Sequence, residues 1–387
     1  MRIPLAYNLN NLMARKVTTL LAAGGIALVV LIFVSVLMLA HGYRETLVST
    51  GSPDNAIVLR SGATAELASS VDREQAAIIK AQGEVAIGES GAPIAAAELV
   101  VFLTLPRRST GDTSNVAVRG VTPESITMRP VKIVEGRMWM PGLSEVIAGR
   151  LIPERFRGCG VGDTVRMGGR DWTVVGIFDA HGTGFESEIW GDSEQVMAAI
   201  RRTTYSSVTV RLRDRAGLET LKARLERDPR FNVHVRSERA FYDEQSRQFT
   251  LFIYTLGIFV TVVFSIAAIL AAMLTMFSTI AARTAEIGTL RALGFPRRSI
   301  LLSFVLESAT LGLVGGLAGI IPGFFLQYVS FSTTNWSSFS EVAWHLSLNG
   351  WIVGGGILFA LAMGVLGGLL PAARASRLRI VEALREA

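Results

Sequence analysis

Residues 249–282 read FTLFIYTLGIFVTVVFSIAAILAAMLTMFSTIAA, 34 positions without Asp, Glu, Lys or Arg. A helix of roughly 20 apolar residues crosses a hydrocarbon core of about 30 Å, so this run spans a bilayer with residues left for tilt or projection. Lipid gives backbone groups no hydrogen-bond partner, which restricts spanning segments to helices and closed barrels. A continuous apolar run selects the helix. Three similar runs flank it: Val17 to Ala40 is 24 residues without a charge, Ser299 to Ser340 is broken only by Glu307, and Val342 to Ala373 is again charge-free. The first run follows Arg15-Lys16, as the apolar part of a signal peptide does. It is about twice the usual 7–15 residues, however, and no small-x-small cleavage site follows Leu39, so an uncleaved helix is expected.

The fold class expected is an α-helical membrane protein with four transmembrane helices and an α+β extracytoplasmic domain inserted between helices 1 and 2. The expected segments are an N-terminal segment at 1–16, helices at 17–40, 249–280, 299–328 and 348–371, the inserted domain at 41–248, a loop at 281–298, a second outer loop at 329–347 and a tail at 372–387.

Charge orients these segments. The 387 residues carry 38 Lys or Arg against 32 Asp or Glu, a net charge of +6. Eleven basic residues lie outside 41–248: Arg2, Arg15, Lys16, Arg283, Arg291, Arg297, Arg298, Arg374, Arg377, Arg379 and Arg385. Five acids join them, Glu286, Glu307, Glu341, Glu382 and Glu386, so the inserted domain is balanced at 27 basic and 27 acidic residues. The 329–347 loop has no Lys or Arg. Basic short segments stay in the cytoplasm, which puts both termini and the 281–298 loop inside and the inserted domain outside. The basic balance therefore reports membrane orientation and not nucleic-acid binding.

Within the inserted domain, Ala56–Arg60, Leu99–Leu105, Val116–Val121 and Ser207–Leu212 read as strands, in a mixed α/β arrangement of two parts. Asp72 caps a helix to Gln82, Ser193 caps a short helix, and Leu218–Arg227 forms another, ended by Asp228-Pro229. Thr164–Met167 and Asp171–Phe178 flank Gly168-Gly169, a pair able to take positive φ at both turn positions, and so form a hairpin. Glu238–Gln248 is polar, free of Gly and Pro, and runs into residue 249; a stalk continuing the membrane helix is expected. Cys159 is the only cysteine, so the domain has no intrachain disulfide. The last two membrane runs carry glycines four apart, among them Gly312, Gly316, Gly350, Gly354, Gly364 and Gly368. Such spacing lets helix backbones approach closely, either within one chain or between two.

The 281–298 loop has the most specific pattern. Arg283-Thr284-Ala285-Glu286-Ile287-Gly288-Thr289-Leu290-Arg291-Ala292-Leu293-Gly294 is followed by Phe295-Pro296. Ile287, Leu290 and Leu293 recur at three-residue spacing, near the helical repeat, and Gly294 and Pro296 would stop the helix. From the residues alone, a short helix that lies at the membrane surface as a mere connector is the favoured reading. The segment resembles the R-x-x-E-I-G-x-L-R-A-L-G loop of the MacB/FtsX-like permease family of ABC transporters, with Arg283, Glu286, Ile287, Gly288, Leu290, Arg291, Ala292, Leu293 and Gly294 matching. Pro371-Ala372-Ala373-Arg374-Ala375-Ser376-Arg377-Leu378 and Val381-Glu382-Ala383-Leu384-Arg385 resemble the family's ending, with Ile380 where a proline is common.

The resemblance implies that the nine matching loop residues form a short helix docking on an ATPase. No G-x-x-x-x-G-K-[ST] pattern is present, so the ATPase, with its ATP and Mg, is expected on a separate ABC subunit, and this chain binds no cofactor itself. No catalytic site is expected: Gly88-Glu89-Ser90-Gly91 is out of register with a nucleophile elbow, and His41, His181, His234 and His345 are scattered, without metal-ligand spacing. Glu307, an ionisable group inside a membrane run, is costly and invites a functional reading; a structural and a coupling role both stand. Implied partners are the ATPase subunits, membrane lipid, a second identical or similar permease, and for an exporter a periplasmic adaptor. The implied location is the bacterial inner membrane. The implied function is export or extraction of a hydrophobic or amphiphilic substrate, driven by transmitted movement. The alternative is an FtsX-like signalling subunit that regulates cell-wall hydrolases without transport.

Overall fold

The computed structural model describes residues 16–336 and 338–378. Most of the N-terminal segment, Ile380 and the Val381 to Arg385 ending lie outside the described residues. The chain divides into two units: residues 42–251 with 330–345, and the remainder.

The first unit is built on strands β1 (Asn55–Arg60), β2 (Ala95–Pro106), β3 (Thr113–Val121), β4 (Lys132–Gly136), β5 (Glu145–Gly149), β6 (Thr164–Met167), β7 (Arg170–Asp179), β8 (Glu188–Asp192), β9 (Ser207–Arg211) and β10 (Val233–Ser237). They form a single sheet in the order β10-β1-β9-β2-β3-β8-β5-β7-β4, with β6 on β7. The two parts expected from the sequence are therefore halves of one sheet. Strand β2 joins them: Ala95–Glu98 pairs with β9, and Leu99–Pro106 pairs with β3.

Each half has its own core. Val58, Ile79, Val208, Val210 and Leu221 pack with helices Arg73–Lys80 and Gly217–Arg227 in one half. Val118, Val146, Trp172, Ile189 and Val196 pack with helix Ser193–Ile200 in the other. Strand β1 is buried on both faces, because Ile57 and Leu59 enter a third cluster with Phe178, Phe185, Trp190, Phe241 and Tyr242. A continuous apolar strand is the expected signature of two-sided burial.

The hairpin stands as read: Gly168 and Gly169 have φ of 59° and 75°, and Met167 pairs with Arg170. The cap of helix Ser193–Ile200 is corrected by one residue. The Asp192 carboxylate accepts from the Glu194 amide at 2.9 Å, and Ser193 is the first helical residue. The 329–347 segment is also more than a loop. Strands β11 (Ser330–Thr334) and β12 (Glu341–His345) pair antiparallel; their β-branched and aromatic residues favour strands.

Four helices among the described residues are long and apolar enough to cross a membrane: Lys16–Thr50, Glu238–Ala281, Arg297–Leu326 and Gly350–Ser376. The first continues ten residues past Ala40. The second starts at Glu238, so the polar stretch to Gln248 and the apolar run beyond it are one helix of 44 residues. In the membrane unit, a Cβ added at Gly312 would lie 2.6 Å from the Ala360 carbonyl oxygen, and one at Gly315 would lie 2.7 Å from that of Ala23. Both positions are thus covered by helices of the same chain. Gly350 and Gly354 have no neighbour within 4 Å.

Candidate coupling site

Helix Thr284–Ala292 connects the second and third spanning helices. It stops where the sequence says it must: Leu293 is the C-cap, Gly294 takes φ of 91°, and Pro296 is the N-cap of the third spanning helix. The nine matching residues divide between two faces. Ile287 and Gly288 are buried, and Ile287 clusters with Met276, Ile280, Ile300, Phe304, Ala372 and Ala375, with Leu290 partly buried against them. Glu286, Ala292, Leu293 and Gly294 are exposed. The expected apolar face of Ile287, Leu290 and Leu293 is therefore corrected, since Leu293 is 66% exposed. At about 100° per residue each three-residue step drifts by some 60°, and two steps carry Leu293 off the packed face.

Arg283 ties this helix to the bundle. Its Nε donates to Glu286 at 2.7 Å and its Nη1 to Glu307 at 3.3 Å. The guanidinium lies 5.3 Å from the centroid of the Phe304 ring. Glu307 is 3% exposed. The intramembrane acid and the loop motif, unconnected in sequence, are therefore one cluster. Burial pushes the Glu286 carboxyl above its usual range. The Arg291 Nε is shielded from solvent and has no hydrogen-bond partner within the described residues.

A second arrangement holds the head of the 44-residue helix. Glu238, its first residue, is buried and accepts from the Ser52 amide at 3.0 Å and from Asn55 Nδ2 at 2.8 Å. Arg129 reaches it at 3.5 Å and donates its Nη1 and Nη2 to Glu98. Arg119 donates to Glu66, Glu98 and Glu188 at 2.8–2.9 Å. The backbone of Glu238 leaves no space at Gly51, where a Cβ would fall 2.6 Å from its carbonyl carbon. Burial raises the Glu98 pKa, but the charges of Arg129 and Arg119 outweigh it and leave the carboxyl at about 2. Burial likewise opposes the charge on Arg129, and the carboxylates of Glu98 and Glu238 prevail, raising its pKa. Sequence reasoning missed this network. Its one legible sign is a charge inside an apolar strand, as at Glu98 in AAAELVV and Arg119 in NVAVRGV.

Four helices of spanning length, with a short helix on one connection and a large α+β insertion after the first, are the architecture of an integral membrane protein. The chain belongs to the MacB/FtsX-like permeases of ABC transporters: residues 19–228 match the family model of the MacB-like periplasmic core domain, and residues 258–380 that of the FtsX-like permease C-terminal. Permeases of this family work with ABC ATPases.

The chain is 36% identical over 135 residues to the uncharacterized ABC transporter permease YknZ of Bacillus subtilis, covering 33% of this chain and 32% of that protein. It is 26% identical over 301 residues to the macrolide export ATP-binding/permease protein MacB of Vibrio parahaemolyticus, covering 73% of this chain and 44% of that one. The matched stretch thus spans less than half the length of these relatives. Among solved structures, the extracellular domain of YknZ from Gram-positive bacteria aligns with a TM-score of 0.37 at 18% identity, covering 47% of this chain and 99% of that one.

Proposed function

We propose that this chain is the membrane subunit that converts ATP hydrolysis on separate ATPase subunits into movement of the domain at 42–251, and so exports or extracts a hydrophobic or amphiphilic substrate. The observation that carries the reading is the two-faced helix Thr284–Ala292. One face is anchored by Ile287, Gly288 and the Arg283–Glu307 pair, while Glu286, Thr289 and Leu293 are solvent-exposed. The exposed face of this helix carries residues that match the family's loop pattern, which supports its use as a docking surface for the ATPase. The positive-inside distribution puts that face in the cytoplasm, with both termini, where ATP and Mg stay with the partner. The match of residues 19–228 to the MacB-like core domain supports export over signalling. Glu238 at the head of a continuous helix supports transmission to the outer domain. The second spanning helix, with Phe259, Val263 and Leu270 exposed, offers a face for lipid or a second permease copy.

Leu293→Asp tests the reading. The side chain is already exposed, so the variant keeps the fold and its thermal unfolding midpoint. It should lose ATPase copurification in mild detergent, with at least about ten-fold less partner recovered, as expected for removing a central interface anchor. Undiminished recovery of an ATPase with unaltered stimulated hydrolysis would leave the helix as a mere surface connector.

A further inference from the structure

The turn between β2 and β3 and the β11–β12 hairpin border an open cavity of about 390 Å³, within the size range of small-ligand sites. Arg107, Arg108 and Arg155 line it, with Glu154, Ser330 and Glu341. Nothing in the coupling reading uses these groups.

Glu341 takes only part of two of the three guanidinium groups. Arg107 donates to its Oε2 through Nε at 2.9 Å and Nη2 at 2.7 Å. Arg155 donates to its Oε1 through Nε at 3.2 Å and Nη2 at 2.9 Å. Burial pushes the Glu341 carboxyl up, but hydrogen bonds from Ser114, Ser332 and Arg107 and the charge of Arg155 carry it below the usual range, so it stays ionised. Arg108 is held by its Nε alone, donating to the carbonyls of Pro153 at 2.7 Å and Phe156 at 3.1 Å. Nη1 of Arg107, Nη1 of Arg155 and both terminal nitrogens of Arg108 make no hydrogen bond among the described residues. Three cations line the cavity against two carboxylates, and Arg157 donates to the Arg108 carbonyl at 3.4 Å.

Guanidinium forks with unused N–H groups around a solvent-open cavity match an oxyanion. Four free terminal nitrogens on three guanidinium groups suit the three acceptor oxygens of a phosphate ester. Ser330 follows the end of the spanning helix at Leu326 by four residues, which reach at most about 14 Å. Phe331 beside it is 37% exposed, and aromatic side chains favour the headgroup level.

We propose that this cavity binds a phosphate group, for which an anionic phospholipid headgroup and free phosphate offer the same chemistry. The full chain, purified in an uncharged detergent, is titrated by calorimetry with dihexanoyl phosphatidic acid, with inorganic phosphate, and with dihexanoyl phosphatidylcholine as the zwitterionic control. Phosphatidic acid should bind saturably and the control should not. Inorganic phosphate binding as tightly would assign the site to phosphate itself; binding only of the lipid would assign it to a headgroup.

Arg108→Gln should weaken binding about ten-fold, the loss of charge-assisted hydrogen bonds, and Arg108→Lys should recover part of it. Glu341→Gln removes the competing carboxylate and should tighten binding several-fold. A merely structural role for these groups would have both variants shift the unfolding midpoint and neither move affinity in opposite directions. Phosphatidic acid binding no better than the control, or unchanged affinity in both Arg108→Gln and Glu341→Gln, overturns the proposal. ATPase copurification is read separately, so failure here does not touch the coupling reading.

Discussion

Arg119 of the outer unit meets three carboxylates, Glu66, Glu98 and Glu188, while Arg283 of the membrane unit meets two, Glu286 and Glu307. The outer cluster extends through Glu98 to Arg129 and on to Glu238. Each of its charges therefore depends on several others, and nearly all are removed from solvent. The membrane cluster is short and graded, with Glu307 buried and Glu286 nearly half exposed. Buried ions are costly unless every one is paired. A redundant network fixes one arrangement of strands around the helix head. A short chain of ion pairs ending in solvent can change partners when the outer end is occupied. The two clusters thus suit opposite tasks, one to hold and the other to yield.

Breaking the holding cluster should have the largest effect. Arg119→Met keeps much of the volume but leaves Glu66 and Glu188 buried beside no cation within reach. Stranding one partner of a buried pair costs about 3–5 kcal/mol, a large fraction of the roughly 5–15 kcal/mol by which domains are ordinarily stable. Limited proteolysis of the full chain should cleave the 42–251 unit of the variant faster than that of the wild type. The pH dependence carries the same signature. Glu98 has a folded pKa of about 2, below the usual value near 4.5. Its contribution is therefore complete above about pH 4.5 and is lost as pH falls toward 2. In Arg119→Met one of its two cations is gone, so the folded pKa moves back toward 4.5; the loss then still begins near pH 4.5 but is smaller and ends at a higher pH, giving a shallower acid profile. Equal proteolytic resistance and superimposable acid profiles would show that the network holds nothing.

The head of the long helix can be separated from its shaft. Gln248 is exposed and within Glu238–Ala281, so Gln248→Pro disturbs no buried contact of the network. Proline in a helix interior costs about 3 kcal/mol and kinks it. The variant should insert, keep its outer unit folded and retain copurifying ATPase, yet lose substrate export in cells. Full export with a helix shown to be broken would end the transmission reading. Failure of cell separation or wall remodelling instead of export would turn the function toward signalling.

The spanning helices and the Gly168-Gly169 hairpin were legible because each rests on a local pattern, an unbroken apolar run or a turn with fixed conformational needs. The stalk was legible for the same reason, as a stretch without Gly or Pro leading into such a run. The β11–β12 hairpin was hidden because its residues extend the apolar runs on either side, and hydrophobicity outweighed the short alternation. Leu293 was assigned to the wrong face because three-residue spacing is only near the helical period. The motif pointed to Arg283 and Glu286, and membrane burial pointed to Glu307. Their contact across 24 residues was not visible. The outer network was further out of reach. Glu98 and Arg129 are 31 residues apart, Glu66 and Arg119 are 53 apart, and Arg129 and Glu238 are 109 apart. Pairing of that kind is decided by sheet order, which no local pattern encodes.

The yielding cluster should give the smallest change, and its size is the informative quantity. Glu307→Gln keeps the shape of the side chain and a carbonyl oxygen for the Arg283 Nη1. Arg283 also retains Glu286 at 2.7 Å and the ring of Phe304. No charge is stranded, so the full penalty of a broken buried pair does not arise. What is removed is the preference of Arg283 for one anchored position. A coupling free energy of about 1 kcal/mol corresponds to roughly a five-fold effect. Stimulated ATPase activity of the assembled complex should fall by about that factor, while ATPase copurification and the unfolding midpoint remain near wild type. Glu286→Gln alters the exposed half of the cluster, where an ion pair contributes roughly 0–1 kcal/mol, and should reduce stimulation less. Should Glu286→Gln prove the more damaging, the solvent-facing carboxylate would be acting directly on the partner, and Glu307 would be an anchor alone. Should Glu307→Gln lower the unfolding midpoint as far as Arg119→Met lowers the stability of the outer unit, the contrast between a holding and a yielding cluster would be lost.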